Sequence, residues 1–126
     1  MRLLLDTHVL IWAARDPGRL SERVRDLLQD PGNDLFVSVV AAYEIEFKRD
    51  RDPDVAALPA QLTPILQQMD MEWLLLTNRH AALAGKLPRI HGDPFDRFII
   101  AQARIEEAGL VTKDAKIAAY GIPTIW

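Results

Sequence analysis

The sequence predicts an α/β protein: a three-layer sandwich with a mainly parallel central sheet of four to five strands flanked by helices. Short apolar runs alternate along the chain with amphipathic stretches at helical spacing. The first run, Arg2-Leu3-Leu4-Leu5, has no polar alternation, so both of its faces are covered. Strands separated by helices close through βαβ crossovers, which produce parallel pairs.

The elements follow in order. Arg2 to Leu5 is the first strand, and Thr7 to Ala14 a short helix stopped by Asp16-Pro17-Gly18. Ser21 is a good N-cap for a second helix with Val24, Leu27 and Leu28 on one face, ending before Pro31-Gly32. Leu35-Phe36-Val37 is a strand and Val39 to Arg49 a helix, followed by a charged loop from Arg49 to Asp54. Leu58 to Met71 carries Leu62, Ile65, Leu66 and Met69 at helical spacing, and Trp73 to Leu76 reads as the third strand. Asn78 is expected to cap a helix over Arg79 to Ala84. The longest apolar helix runs from Pro94 to Ala108, with Gly109 as its stop. Leu110 to Thr112 is the fourth strand, Asp114 to Tyr120 a short helix, and Thr124-Ile125 an edge strand after Pro123.

A chain of 126 residues suits one domain, 1–126, and no linker or repeat divides it. It has no cysteine, which excludes disulfides, thiolate zinc sites and cysteine nucleophiles. Its formal charge is −3, without the basic excess that holds nucleic acid by charge alone. No apolar run reaches membrane-spanning length, and Asp6 interrupts the opening leucines too early for a signal peptide. The chain is therefore expected to be soluble and cytoplasmic, with no membrane partner.

In a parallel sheet, chemistry collects beyond the carboxyl ends of the strands. Asp6 follows the first strand directly and Asp114 the fourth, while Asp93 and Asp96 open the longest helix. Each aspartate also has a purely structural use, as a helix cap or as a complement to the helix dipole. For Asp93, followed by Pro94, capping is the preferred reading. Glu44 lies among Val40, Ala41, Tyr43, Ile45 and Phe47, where a carboxylate is costly unless paired or bound to a cation. Lys48, one turn on, offers the pairing alternative. Asp96 shares a helix face with Ile100 and Ala103 and has no basic residue one turn on. Oxygen ligands without thiolates or paired histidines favour a hard ion, Mg²⁺ or Mn²⁺, which suits phosphate chemistry.

Four segments, Leu3 to Trp12, Val37 to Lys48, Asp93 to Ala103 and Leu110 to Asp114, resemble PIN-domain ribonucleases, specifically the VapC-type toxins of toxin–antitoxin pairs. Asp93-Pro94-Phe95-Asp96-Arg97 is the most specific of the matching motifs. The resemblance implies a metal-dependent endoribonuclease with its acidic constellation at Asp6, Glu44, Asp96 and Asp114, steadied by the Thr112 hydroxyl. It implies Mg²⁺ or Mn²⁺ as cofactor, RNA as substrate, cleavage to a 5′-phosphate and a 3′-hydroxyl, a homodimer and a cognate antitoxin protein. Ala41 stands where many relatives carry a second serine, and Tyr43 where tryptophan is common.

Arg97, Lys48 and Lys113 are candidates for RNA phosphate contact, since an acidic pocket alone repels RNA. His80 is expected at the surface, and His91 as a loop-ordering residue. Trp12, Trp73 and Trp126 are expected as packing anchors, and the 58–71 helix as a possible apolar face for a partner. The alternative functions are a non-catalytic PIN-like scaffold and a haloacid-dehalogenase-like phosphatase. The second wants an acid two residues after Asp6, where His8 stands.

Overall fold

The computed structural model describes residues 1–126. Five strands form one all-parallel sheet: β1 (Arg2–Leu5), β2 (Asp34–Ser38), β3 (Met71–Leu74), β4 (Gly109–Val111) and β5 (Thr124–Ile125). Their spatial order is β3-β2-β1-β4-β5, so β1 is central and the winding reverses between β1 and β4. Seven α-helices flank the sheet: α1 (Thr7–Arg15), α2 (Glu22–Gln29), α3 (Val39–Lys48), α4 (Pro53–Ala56), α5 (Thr63–Gln68), α6 (Asn78–Lys86) and α7 (Pro94–Ile105). Short 3-10 turns occupy Pro17–Arg19 and Ala115–Tyr120.

The unalternated opening run does lie between two cores. Leu3 and Leu5 face one, with Val9, Ile11, Val37 and Ile45; Leu4 faces the other, with Ile99, Ile100, Leu110 and Ile117. Leu3, Leu4 and Leu5 are fully buried. Each such side chain contributes roughly 1.5–3 kcal/mol of transfer free energy, which fixes β1 at the centre.

Several boundaries differ from expectation, each for a local reason. Of the helix expected over 58–71, only Thr63–Gln68 is helical. Pro64 sits in its first turn, where proline is tolerated, and Pro59 lies in the non-helical stretch before it. Arg49 pins that stretch by donating to the carbonyls of Val55, Leu58 and Pro59. Leu58, Leu62 and Leu66 are buried in the core, so this segment is not the apolar face for a partner that its composition suggested.

Asp70 takes a left-handed φ of 53° and turns the chain straight into β3, which therefore starts at Met71 rather than Trp73. Leu75 and Leu76 lie beyond the strand and are exposed. The charged loop runs into α4, capped by Asp52. Thr77, not Asn78, caps α6 through a capping box with His80, and α6 runs on to Lys86. Helix α7 stops at Ile105 because Glu107 adopts φ 53° and the Ala108 N–H returns to the Ala103 carbonyl. Gly109 is the first residue of β4 rather than the stop.

His80 is buried, not at the surface. Its Nδ1 accepts the Thr77 N–H, and its Nε2 lies 3.3 Å from Glu106 Oε2. Trp12 and Trp126 pack edge to face at 5.9 Å, and Trp73 Nε1 donates to Thr63 Oγ1. No helix is long and apolar enough to cross a membrane.

Candidate active site

The reversal between β1 and β4 opens a crevice at the carboxyl edge of the sheet, where ligands bind in folds of this kind. Asp6 leaves β1 there, its N–H donating to the Val111 carbonyl at 3.0 Å. Its carboxylate does not cap α1. Instead Asp6 Oδ2 accepts the Thr112 hydroxyl at 2.8 Å, and Thr112 Oγ1 accepts the Asp114 N–H at 3.1 Å. One hydroxyl thus ties the residue after β1 to the loop after β4.

Asp114 caps the following 3-10 turn, its Oδ1 accepting the Lys116 N–H at 2.9 Å. Asp93 caps α7 through Phe95 N–H, as its Pro94 neighbour suggested. That leaves Asp96, in the first turn of α7, without a capping duty. Glu44 on α3 is only 4% exposed. Its Oε2 pairs with Lys48 Nζ at 2.6 Å, but its Oε1 is buried with no hydrogen-bond partner. A buried carboxylate oxygen left unpaired is costly, and a cation is the partner its chemistry wants.

His91 joins this group, although the sequence suggested only a loop-ordering part for it. Its Nε2 lies 3.1 Å from Asp96 Oδ2 and 3.0 Å from Asp114 Oδ2, so one ring spans α7 and the loop after β4. The periodicity of the sequence carries no trace of this, because the partners lie on different elements.

The electrostatics show how closely the acids interact. Burial pushes the Asp96 carboxyl up to about 7, helped by the charges of Asp6, Asp93 and Glu44 and opposed by His91. Burial also raises Asp6, with the Glu44 charge adding to it and the Thr112 hydrogen bond opposing it. Asp114 goes the other way: burial acts to raise it, but the His91 hydrogen bond and the Lys116 N–H hold it below the ordinary range. Burial pulls Lys48 down, yet Glu44, Asp93 and Asp96 outweigh it and keep the ammonium charged. Asp6, Glu44 and Asp96 therefore sit within each other's fields, while the ligand atoms that come within 4.8 Å of one another belong to His91, Asp96 and Asp114.

The crevice is an open cleft of about 560 Å³ whose lining includes Asp6, His91, Asp96, Lys113 and Asp114. Arg19 and Trp12 also line it, the guanidinium 4.6 Å from the ring centre and paired with Asp54 Oδ2 at 3.3 Å. Lys113 Nζ stands about 6 Å from the rings of Trp12 and Trp126, inside the cleft. Arg19 was not among the basic residues singled out by sequence.

Arg97 needs correction as a candidate for phosphate contact. On α7 it points away from Asp96 and donates to the carbonyls of Ala84, Leu87 and Pro88, which closes the C-terminal end of α6. Arg97→Met should lower stability by about 2 kcal/mol, read from a urea unfolding midpoint, because three carbonyls lose a charged donor. Cleavage by the folded fraction should persist. Unchanged stability with weakened RNA binding would restore the contact role.

Exposed apolar side chains gather where α3 meets the start of α7. Tyr43 is 63% and Phe47 49% exposed, and both rings pack on Phe95, with centroids at 5.7 and 6.3 Å.

The chain matches the PIN-domain family model over residues 3–123. It is 31% identical to Ribonuclease VapC22 of Mycobacterium tuberculosis across 98% of each chain. Among solved structures, its fold is similar to VapBC2 from Rickettsia felis, bound there to a DNA fragment from its promoter. That match has a TM-score of 0.75 at 19% identity and covers 99% of this chain and 98% of the other. It is also similar to FitAcB from Neisseria gonorrhoeae, with a TM-score of 0.68 at 19% identity over 98% and 96% of the two chains. The family match over nearly the whole chain, joined by the VapC relative, places this protein in the PIN-domain family, within its VapC group.

Proposed function

We propose that the chain is a divalent-metal-dependent endoribonuclease, a single PIN-like domain over residues 1–126, acting as the toxin of a toxin–antitoxin pair. The observation that carries this reading is the buried, unpartnered Glu44 Oε1 in the field of Asp6 and Asp96. A non-catalytic scaffold has no use for carboxylates buried in one another's fields at a cost in desolvation and repulsion.

In this reading Asp6, Glu44 and Asp96 hold Mg²⁺ or Mn²⁺, and Asp114 completes the constellation. The cation supplies Lewis-acid activation of water and neutralises charge on the scissile phosphodiester. Thr112 orients Asp6 by donating to its Oδ2. Asp96 must lose its proton before it can serve, so its raised affinity for protons ties cation uptake to proton release. Lys113 and Arg19 offer positive charge on the cleft wall to the RNA backbone. Lys48 pairs with Glu44 and neutralises it in the metal-free chain. RNA is cut in line by water, leaving a 5′-phosphate and a 3′-hydroxyl. The partners are a cognate antitoxin and a second copy of the chain, and the place of action is the cytoplasm.

The test is RNA cleavage with Mg²⁺ or Mn²⁺, with and without chelator, beside Glu44→Gln. The expected result is cutting that chelator stops and that the variant lacks. Cutting that survives chelator, or is undiminished in Glu44→Gln, would contradict the proposal.

A further inference from the structure

His91 has the geometry of a metal ligand, with Nε2 and the two Oδ2 atoms of Asp96 and Asp114 inside one small volume. Its other nitrogen decides against that role. Nδ1 accepts the backbone N–H of Asp93 at 3.2 Å, so it carries a lone pair and no proton. The proton of the neutral ring is then on Nε2. A nitrogen that bears a proton donates; it does not ligate.

From this we infer that His91 is a positioning residue, a tautomer-locked bracket whose Nε2–H holds the Asp96 and Asp114 carboxylates together in the cation site. The inference rests on the nuclease reading for its consequence, but not for its geometry.

The bracket is itself anchored. The His91 N–H donates to the Tyr120 hydroxyl at 2.7 Å, and that hydroxyl donates to the Pro88 carbonyl at 3.0 Å. Tyr120 is buried at the end of the last 3-10 turn, so the loop before α7 is fastened to the segment that Asp114 begins. The ring is mostly enclosed, with its side chain 15% exposed. Asp114 gives His91 its Oδ2 and the Lys116 N–H its Oδ1, so both of its oxygens are directed by fixed donors. Asp96 gives His91 only Oδ2. The ring therefore orients one carboxylate that has an oxygen to spare and one that is fully engaged. Donors behind a metal site that orient its carboxylates typically influence affinity and activity 10–100-fold.

The experiment compares the full-length wild type, His91→Ala and His91→Gln. Glutamine places an amide N–H₂ close to where Nε2 stands, so it can donate to the carboxylates without being an imidazole. Mn²⁺ is the probe, read without RNA by calorimetry and by electron spin-echo spectroscopy. His91→Ala should weaken Mn²⁺ binding roughly 10-fold or more, and His91→Gln should recover most of that loss. The wild-type Mn²⁺ spectrum should show no coupling to a histidine nitrogen. A nitrogen coupling that disappears in His91→Ala would make His91 a ligand and overturn the bracket, as would unchanged Mn²⁺ affinity in His91→Ala.

The ring tautomer is read separately, on metal-free protein, by ¹⁵N-resolved NMR. The proton is expected on Nε2, and a proton on Nδ1 overturns the bracket. If the wild type binds no Mn²⁺, the nuclease reading falls, and the bracket is then judged on metal-free chains alone. There, exchange of the Asp114 and Lys116 amides should quicken in His91→Ala and not in His91→Gln; equal exchange in all three refutes it.

Discussion

Asp6→Asn is expected to leave the protein folded and to lower RNA cleavage at least ~1,000-fold, the scale of losing a group that stabilises charge in the transition state. The fold survives because the asparagine carbonyl can still accept the Thr112 hydroxyl, and the β1 backbone keeps its bond to Val111. Replacing a buried carboxylate by a neutral amide also relieves the desolvation that raises Asp6 and the repulsion from Glu44. The metal-free variant should therefore melt no lower than the wild type while being inactive. Circular dichroism and a single-turnover assay on one preparation check both halves. An Asp6→Asn chain that cuts at the wild-type rate refutes the site assignment.

The second large effect is on stability. In metal-free protein Asp96 holds its proton up to about 7, against an ordinary 3.8. The folded state then binds more protons than the unfolded chain throughout that window, so folding stability falls as pH rises from about 4 towards 7. A tenfold difference in proton affinity is worth ~1.4 kcal/mol, so the loss across the window amounts to roughly 2–4 kcal/mol. Asp6, raised in the same direction, adds to it. Urea midpoints in chelator at pH 5 and pH 8 should show this fall, and Asp96→Asn should remove most of it. Saturating Mn²⁺ should restore stability at pH 8, because a bound cation stabilises the deprotonated, folded form. Stability that rises with pH in chelator, with no dependence on Asp96, contradicts the electrostatic account.

The topology was legible because its signals are local. An unalternated leucine run, further short apolar runs and Pro/Gly stops state the order of elements, and a parallel sheet then places Asp6 and Asp114 at one edge. Glu44 was legible from its apolar neighbours, of which Val40, Ala41 and Ile45 are buried with it while Tyr43 and Phe47 are exposed. What was not legible depends on residues far apart in the chain. His91 meets Asp114 across 23 positions, and nothing periodic marks either residue. The available signal was a histidine two residues before an Asp-Pro cap, close enough for its Nδ1 to receive the Asp93 N–H. Arg97 looked like a cleft residue because it follows Asp96. One step along a helix turns a side chain by about 100°, and the open carbonyls of α6 lie on that side. The 58–71 helix failed because Leu62, Ile65, Leu66 and Met69 keep helical spacing while Pro59 precedes them in a stretch that does not hold helical geometry. Two left-handed residues, Asp70 and Glu107, set boundaries that glycine usually sets; aspartate visits this region more readily than most, but glutamate gave no warning.

The most direct measurement is a calorimetric titration of Mn²⁺ into wild type, Asp6→Asn and Glu44→Gln near pH 6, in two buffers of different ionisation heat. Saturable binding is expected in the wild type with protons released to the buffer, as Asp96 ionises, and binding at least ~100-fold weaker in both variants. Equal affinity in all three chains, or binding that releases no proton, would mean that these carboxylates do not share one ion.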